Sequence, residues 1–223
     1  MKNLYADLLE ILKNSKWKNS ELHFFHAQTV KNSSPEIMII GRAVNDWQPF
    51  TPENTSEFSF DSKWSADFYS NFGDGYNPNR SAFWRTARQI TATFTNSDYD
   101  SCIPHLVYSN LYKIATSCSN PPNDLQILQR KICFDILKIE IKQYRPRQII
   151  FLTDLNWCEP FIEEYYKTGF FTKKQLSNNI KHIKTCGFIP EISAKYFVLP
   201  HPQGKPEKEI CQELFSVNKE LVL

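Results

Sequence analysis

The sequence predicts an α/β fold, a parallel sheet with helices on both faces. Two observations carry this expectation. Four short apolar runs, at 36–41, 105–110, 148–153 and 195–200, have the length of strands, and a run apolar on both faces suits a strand covered on both sides. Between them lie segments whose apolar residues recur at helical spacing, and strands alternating with helices point to a parallel sheet.

The elements follow in order. Leu4, Leu8, Leu9, Ile11 and Leu12 fall on one stripe of an N-terminal helix. EIMIIG (36–41) is the first strand, ended by a glycine. The stretch 42–80 is rich in Pro, Asn, Ser and Asp but also carries many aromatics. So long a loop inside a compact domain points to function, and its aromatics argue against disorder. SAFWRTARQITATF (81–94) reads as a helix with Ser81 as N-cap. HLVYSN (105–110) is the second strand. The segment 123–143 is the clearest helix, capped by Asn123 or Asp124, and Pro146 breaks the chain after it. QIIFLT (148–153) is the third strand, a less regular aromatic stretch covers 157–190, and KYFVLP (195–200) is the fourth strand. A closing helix occupies 206–221, with Pro206 near its first turn.

A length of 223 residues with 41% hydrophobic content suffices for one core. The expectation is therefore a single domain over 1–223, with a helical extension at 1–35 and a long aromatic-rich loop at 42–80. Lys plus Arg total 26 against 24 Asp plus Glu, a net charge of +2. That balance neither demands nor excludes nucleic acid, which would need positive charge gathered on one face. No pair of the six cysteines has the two-residue spacing of a zinc or redox motif. His182 and Cys186 are four apart but lack companions, so no metal and no cofactor are expected. The amino end lacks the apolar block of a signal peptide, and no run approaches the length of a membrane span. The expected protein is a cytoplasmic monomer with reduced thiols.

In open parallel sheets ligands sit beyond the carboxyl ends of the strands. The first strand runs into Gly41-Arg42-Ala43-Val44-Asn45-Asp46, the second ends at Ser109-Asn110, and the fourth ends at His201. Four pieces in this order resemble the uracil-DNA glycosylase superfamily over about 36–205. IMIIGRAVND is similar to its first motif, NPNRSAFWRT to the helix start of its mismatch-specific branch, LVYSNLYK to the strand ending in the base-reading Asn, and FVLPHPQGK to its His-Pro segment. The resemblance implies a three-layer αβα sandwich around a short four-stranded parallel sheet. It implies hydrolysis of the N-glycosidic bond of a base flipped out of DNA. Asn110 would read the base edge with its planar amide. His201 would stabilise the charge left on the departing base. Trp47, Phe50, Tyr69 or Phe72 would stack on the base.

The first loop departs from the family pattern. The water-holding position is Ala43, its neighbour Arg42 cannot act as a base, and Asn45 or Asp46 is left to orient water. Gln203-Gly204-Lys205 stands where a Ser and a duplex-wedging hydrophobe are usual. Gly41, Arg42, Ala43, Trp47, Phe50 and Asn110 are thus the expected binding residues, and Asn45, Asp46 and His201 the expected catalytic ones. Arg42 at a strand end also fits a non-catalytic protein that binds a nucleobase, nucleotide or other anionic ligand. Blander readings stand beside these. Asn110 serves equally as a cap or turn residue, His201 as a structural histidine, Arg42 as an ion-pair partner, and the aromatic loop as a secondary core. Arg80, Arg85, Arg88 and Lys113 offer a basic rim, although charges scattered on helices are ordinarily solvated.

Overall fold

The computed structural model describes residues 2–30, 33, 35–44, 48–53, 77–117, 119–177 and 179–221. In chain order the elements are α1 (Lys2–Lys13), β1 (Leu22–Phe24), β2 (Gln28–Thr29), β3 (Ile37–Gly41), β4 (Gln48–Phe50), α2 (Ala82–Thr95), β5 (Leu106–Asn110), β6 (Ile114–Thr116), α3 (Asn123–Tyr144), β7 (Gln148–Leu152), α4 (Leu155–Lys167), β8 (Thr172–Lys174), β9 (Thr185–Ile189), β10 (Ala194–Leu199) and α5 (Glu207–Glu220). They fall into two compact units, one drawn from 1–27, 41–61 and 109–143, the other from 28–40, 62–108 and 144–223.

A mixed seven-stranded sheet has the order β2-β5-β3-β7-β10-β9-β8. Its centre contains the four strands read from the sequence, because only there are both faces apolar. β3 and β5 are buried along their whole length, and Ile149 to Leu152 and Tyr196 to Leu199 are equally enclosed. β3 pairs with β7, and β7 with β10, in parallel. Each fully buried Ile, Val, Leu or Phe here contributes about 1.5–3 kcal/mol relative to exposure.

The expectation of a four-stranded, all-parallel sheet needs correction. β2, β9 and β8 add antiparallel edges. β2 has two residues and β8 is the exposed tripeptide Thr-Lys-Lys, so neither leaves an apolar run in the sequence. The stretch 157–190, expected to be irregular, holds most of α4 together with β8 and β9. β9 turns into β10 through Pro190–Ile192 and Ser193, which takes a left-handed φ of 54°. Lysines on β8 protect the edge against further strand pairing.

The first unit carries a second sheet, order β4-β1-β6, antiparallel throughout. Its strands are three residues each, too short for a period of two to show. Among its described residues, the segment 1–35, expected to be a helical extension, is helical over α1 and then supplies β1 and β2. α1 does present the expected stripe: Leu8 and Leu12 join Tyr5, Leu22, Phe24, Ile114, Leu125, Ile132 and Ile136 in one core, with Leu4 and Ile11 at its margin.

The helix boundaries follow local chemistry. Ser81 caps α2 by accepting from the Trp84 N–H, and Asn96 closes it in the left-handed conformation. α3 ends before Arg145, at φ 46°, ahead of Pro146.

Candidate functional site

In the first unit the exits of β3 and β5 are tied to each other. The Leu111 N–H donates to the Gly41 carbonyl at 2.9 Å and the Tyr112 N–H to the Arg42 carbonyl at 3.1 Å. Gly41 and Val44 are buried, Arg42 and Ala43 half-buried. Ser109 and Asn110 are fully enclosed. Main-chain bonds therefore join the Gly41–Arg42 turn to the residues that directly follow Asn110.

Beneath this strand end lies a charged group that sequence reasoning placed on a basic rim. Lys113 is fully buried, and so is its partner Glu140 on α3. Lys113 Nζ donates to Ser109 Oγ at 2.7 Å, to the Asn110 carbonyl at 2.8 Å and to Glu140 Oε2 at 2.8 Å. The Ser109 hydroxyl donates to the same carboxylate oxygen at 2.7 Å. Glu140 Oε1 accepts from the Tyr5 hydroxyl and the Ala27 N–H, both at 3.1 Å. Gln129 fixes the Lys113 and Ile114 N–H groups with its side-chain oxygen, at 3.1 and 3.0 Å. Burial holds the His26 pKa below the ordinary imidazole value; the Glu140 carboxylate opposes that shift and the Lys113 cation adds to it.

In the second unit the site is built around His201, half-buried at the exit of β10. Its ring lies 5.9 Å from the Phe83 ring with planes 30° apart. Phe83 packs edge-on to Tyr108 at 5.6 Å, and Trp84 to Tyr108 at 4.8 Å. The Gln203 N–H donates to His201 Nδ1 at 3.3 Å. A ring nitrogen that accepts carries no proton, so the neutral imidazole keeps its proton on Nε2 and presents it as a donor. The loop beyond is closed by the Lys205 N–H bond to the Pro202 carbonyl at 2.9 Å and by Gly204 at φ 69°.

Asp154 belongs to the same edge. It follows β7, parallel neighbour of β10, and its N–H donates to the Leu199 carbonyl at 3.1 Å. Its carboxylate receives the Lys205 ammonium at 2.5 Å. At φ 65° and ψ 155° it sits in a region essentially reserved for glycine. Such conformations cost of order 1–3 kcal/mol and cluster at functional sites. Sequence reading passed over Asp154, although it directly follows the third apolar run and the strand-end rule would have found it.

The expected basic rim is largely neutralised. Arg85 makes a two-pronged ion pair with Glu207 and also donates to the Asn79 carbonyl at 2.9 Å. Its hydrogen bond to Glu207 raises its pKa further. Arg88 reaches Asp100 at 2.8 Å, and its guanidinium stacks over Tyr99 at 4.1 Å. With Lys113 internal, Arg80 remains as the exposed member of the four.

Asn45, Asp46 and Trp47 lie outside the described residues, as do Tyr69 and Phe72. Phe50 packs at the margin of the first unit's core, edge-on to Phe24 at 6.5 Å. Among the described residues no group of three His, Cys, Asp or Glu is placed to hold a metal ion. Cys102, Cys133, Cys158, Cys186 and Cys211 are buried free thiols. Burial pushes Cys133, Cys158 and Cys211 up to about 12, so they are inert rather than nucleophilic. Among the described residues no helix is long and apolar enough to cross a membrane. No family model and no curated protein matches the chain.

Proposed function

We propose that the protein is a divergent uracil-DNA glycosylase-like enzyme that hydrolyses the N-glycosidic bond of a base extruded from DNA. The fold that goes with this reading is the αβα sandwich of that superfamily. The observation that carries it is His201 at the exit of β10: an imidazole packed at a tilt against Phe83, whose Nδ1 accepts from the Gln203 N–H and which therefore carries its proton on Nε2 when neutral. In the reaction a water oxygen bonds to C1′ of the sugar while the C1′–N bond breaks, and the proton the water loses ends on the released base. The electron pair leaves with the base, and a donor fixed in advance stabilises the resulting oxyanion. The Asn110 amide supplies a donor and an acceptor that match a pyrimidine edge. Asn45 or Asp46 is the proposed water-orienting residue.

A second reading has its own support. Ala43 has no proton-accepting side chain and Arg42 beside it is cationic, which favours a non-catalytic protein that binds a nucleobase, a nucleotide or another anion. One experiment separates the two. Purified protein is incubated with oligonucleotides carrying uracil, mismatched or damaged bases, and base release is measured for wild type, Asn110→Ala and His201→Ala. Release in wild type, falling by about 10²–10³ in His201→Ala, is the expected result for a lost oxyanion donor. No release, with a rise in melting temperature on adding nucleobases or nucleotides, selects the binding reading. The absence of both release and a melting-temperature rise refutes both readings.

A further inference from the structure

We propose that the internal Lys113–Glu140 pair is a positioning device that sets the base-reading amide of Asn110. The inference rests on the reading of Asn110 given above and concerns how that residue is held.

The argument starts from cost. Removing two charges from water costs several kcal/mol per ion, and apolar residues of similar volume often do as well or better for stability. A fully buried pair at the end of a strand therefore needs a reason beyond stability. Its wiring supplies one. All three hydrogens of the Lys113 ammonium are used, on Ser109 Oγ, the Asn110 carbonyl and Glu140 Oε2. Ser109 returns a hydrogen bond to the same Glu140 oxygen, closing a ring of three side chains. Two of these struts attach to consecutive residues of β5, one to the Ser109 side chain and one to the Asn110 main chain. Glu140 is anchored in turn from α1 by Tyr5 and from the segment before β2 by Ala27.

The peptide plane after Asn110 is thus fixed from below, and the chain beyond is fixed by the Leu111 bond to Gly41 and the grip of Gln129 on Lys113 and Ile114. A planar amide can read a base edge only if the backbone that carries it does not pivot. A network with every member satisfied gives that rigidity, and a half-satisfied one does not. Lys113 and Glu140 act through Asn110 and need touch no ligand.

The test uses the full chain. Lys113→Met/Glu140→Leu removes both charges together, so neither is left buried alone. Ser109→Ala breaks one strut and leaves the ion pair, and serves if the double variant does not fold. Binding to single-stranded oligonucleotides with one uracil, or cytosine in its place, is compared with the melting temperature. The expected result is about a tenfold loss of uracil-over-cytosine preference, the worth of roughly one hydrogen bond, with no further loss when the same change is made in Asn110→Ala. Unchanged preference in a folded variant, or equal losses with and without Asn110, overturns the proposal. If the wild type shows no base preference, the reading of Asn110 fails, and the positioning claim is then judged by amide hydrogen exchange. Faster exchange at Asn110 and Leu111 in the variant supports it; unchanged exchange refutes it.

Discussion

His26 stacks on Phe24, ring centres 5.9 Å apart, in the same interior as Lys113 and Glu140. Burial holds its pKa down, so the folded protein binds a proton there less readily than the unfolded chain, whose value is near 6.5. The sign follows from linkage. The contribution is fully present above about pH 6.5 and is lost as the pH falls toward the depressed folded value. Ordinary carboxylates titrate lower, so His26 contributes to a fall in stability that begins near pH 6.5, ahead of theirs. Urea midpoints measured downward from about pH 6.5 are expected to decline in the wild type and to stay flatter in His26→Asn. Equal slopes would show that His26 makes no such contribution. Glu213 acts lower on the scale. Burial pushes its carboxyl up, but the N–H groups of Lys181, His182 and Ile183 outweigh that and leave it below the usual value. At this scale Asn110 and His201 were legible because each ends an apolar run. The partnership of Lys113 with Glu140 was not, because 27 residues separate the two and only the fold brings them together.

At the scale of elements, what the sequence reveals depends on burial. β3, β5, β7 and β10 are legible because both faces are covered and the runs are continuously apolar. The edge strands are not, because Thr-Lys-Lys in β8 records the solvent on its outer side and not its pairing. What holds β8 is written in one residue of its neighbour. A Cβ on Gly187 would lie 1.8 Å from the Thr172 carbonyl oxygen, which is backbone and gives way only if the strand shifts. Glycine is therefore required for β8 to approach β9. Gly187→Ala is expected to displace β8 while β10 and β7 keep their pairing. Hydrogen exchange should rise at Thr172 to Lys174 and stay low at Tyr196 to Leu199, with about 1–3 kcal/mol lost overall. Protection unchanged at β8 would mean that the strand adjusts without cost.

For the whole molecule, the near balance of 26 basic and 24 acidic residues leaves little field to draw in nucleic acid from a distance. Three of the four cations of the expected rim are paired with Glu207, Asp100 and Glu140. On the proposed reading, DNA would be held at this site chiefly by its base and only weakly by its phosphates. That has a measurable signature, because each phosphate neutralised on a single strand contributes about 0.7 to the slope of log affinity against log salt. Arg80 as the exposed cation of that rim would contribute a slope of about −0.7. Fluorescence anisotropy with a uracil-containing single strand, repeated through a salt titration, is expected to show that shallow dependence. Arg80→Ala should flatten it further by about 0.7. A slope several-fold steeper would mean that cations elsewhere track the backbone, and recognition would then belong to an electrostatic groove rather than to a pocket reading one base.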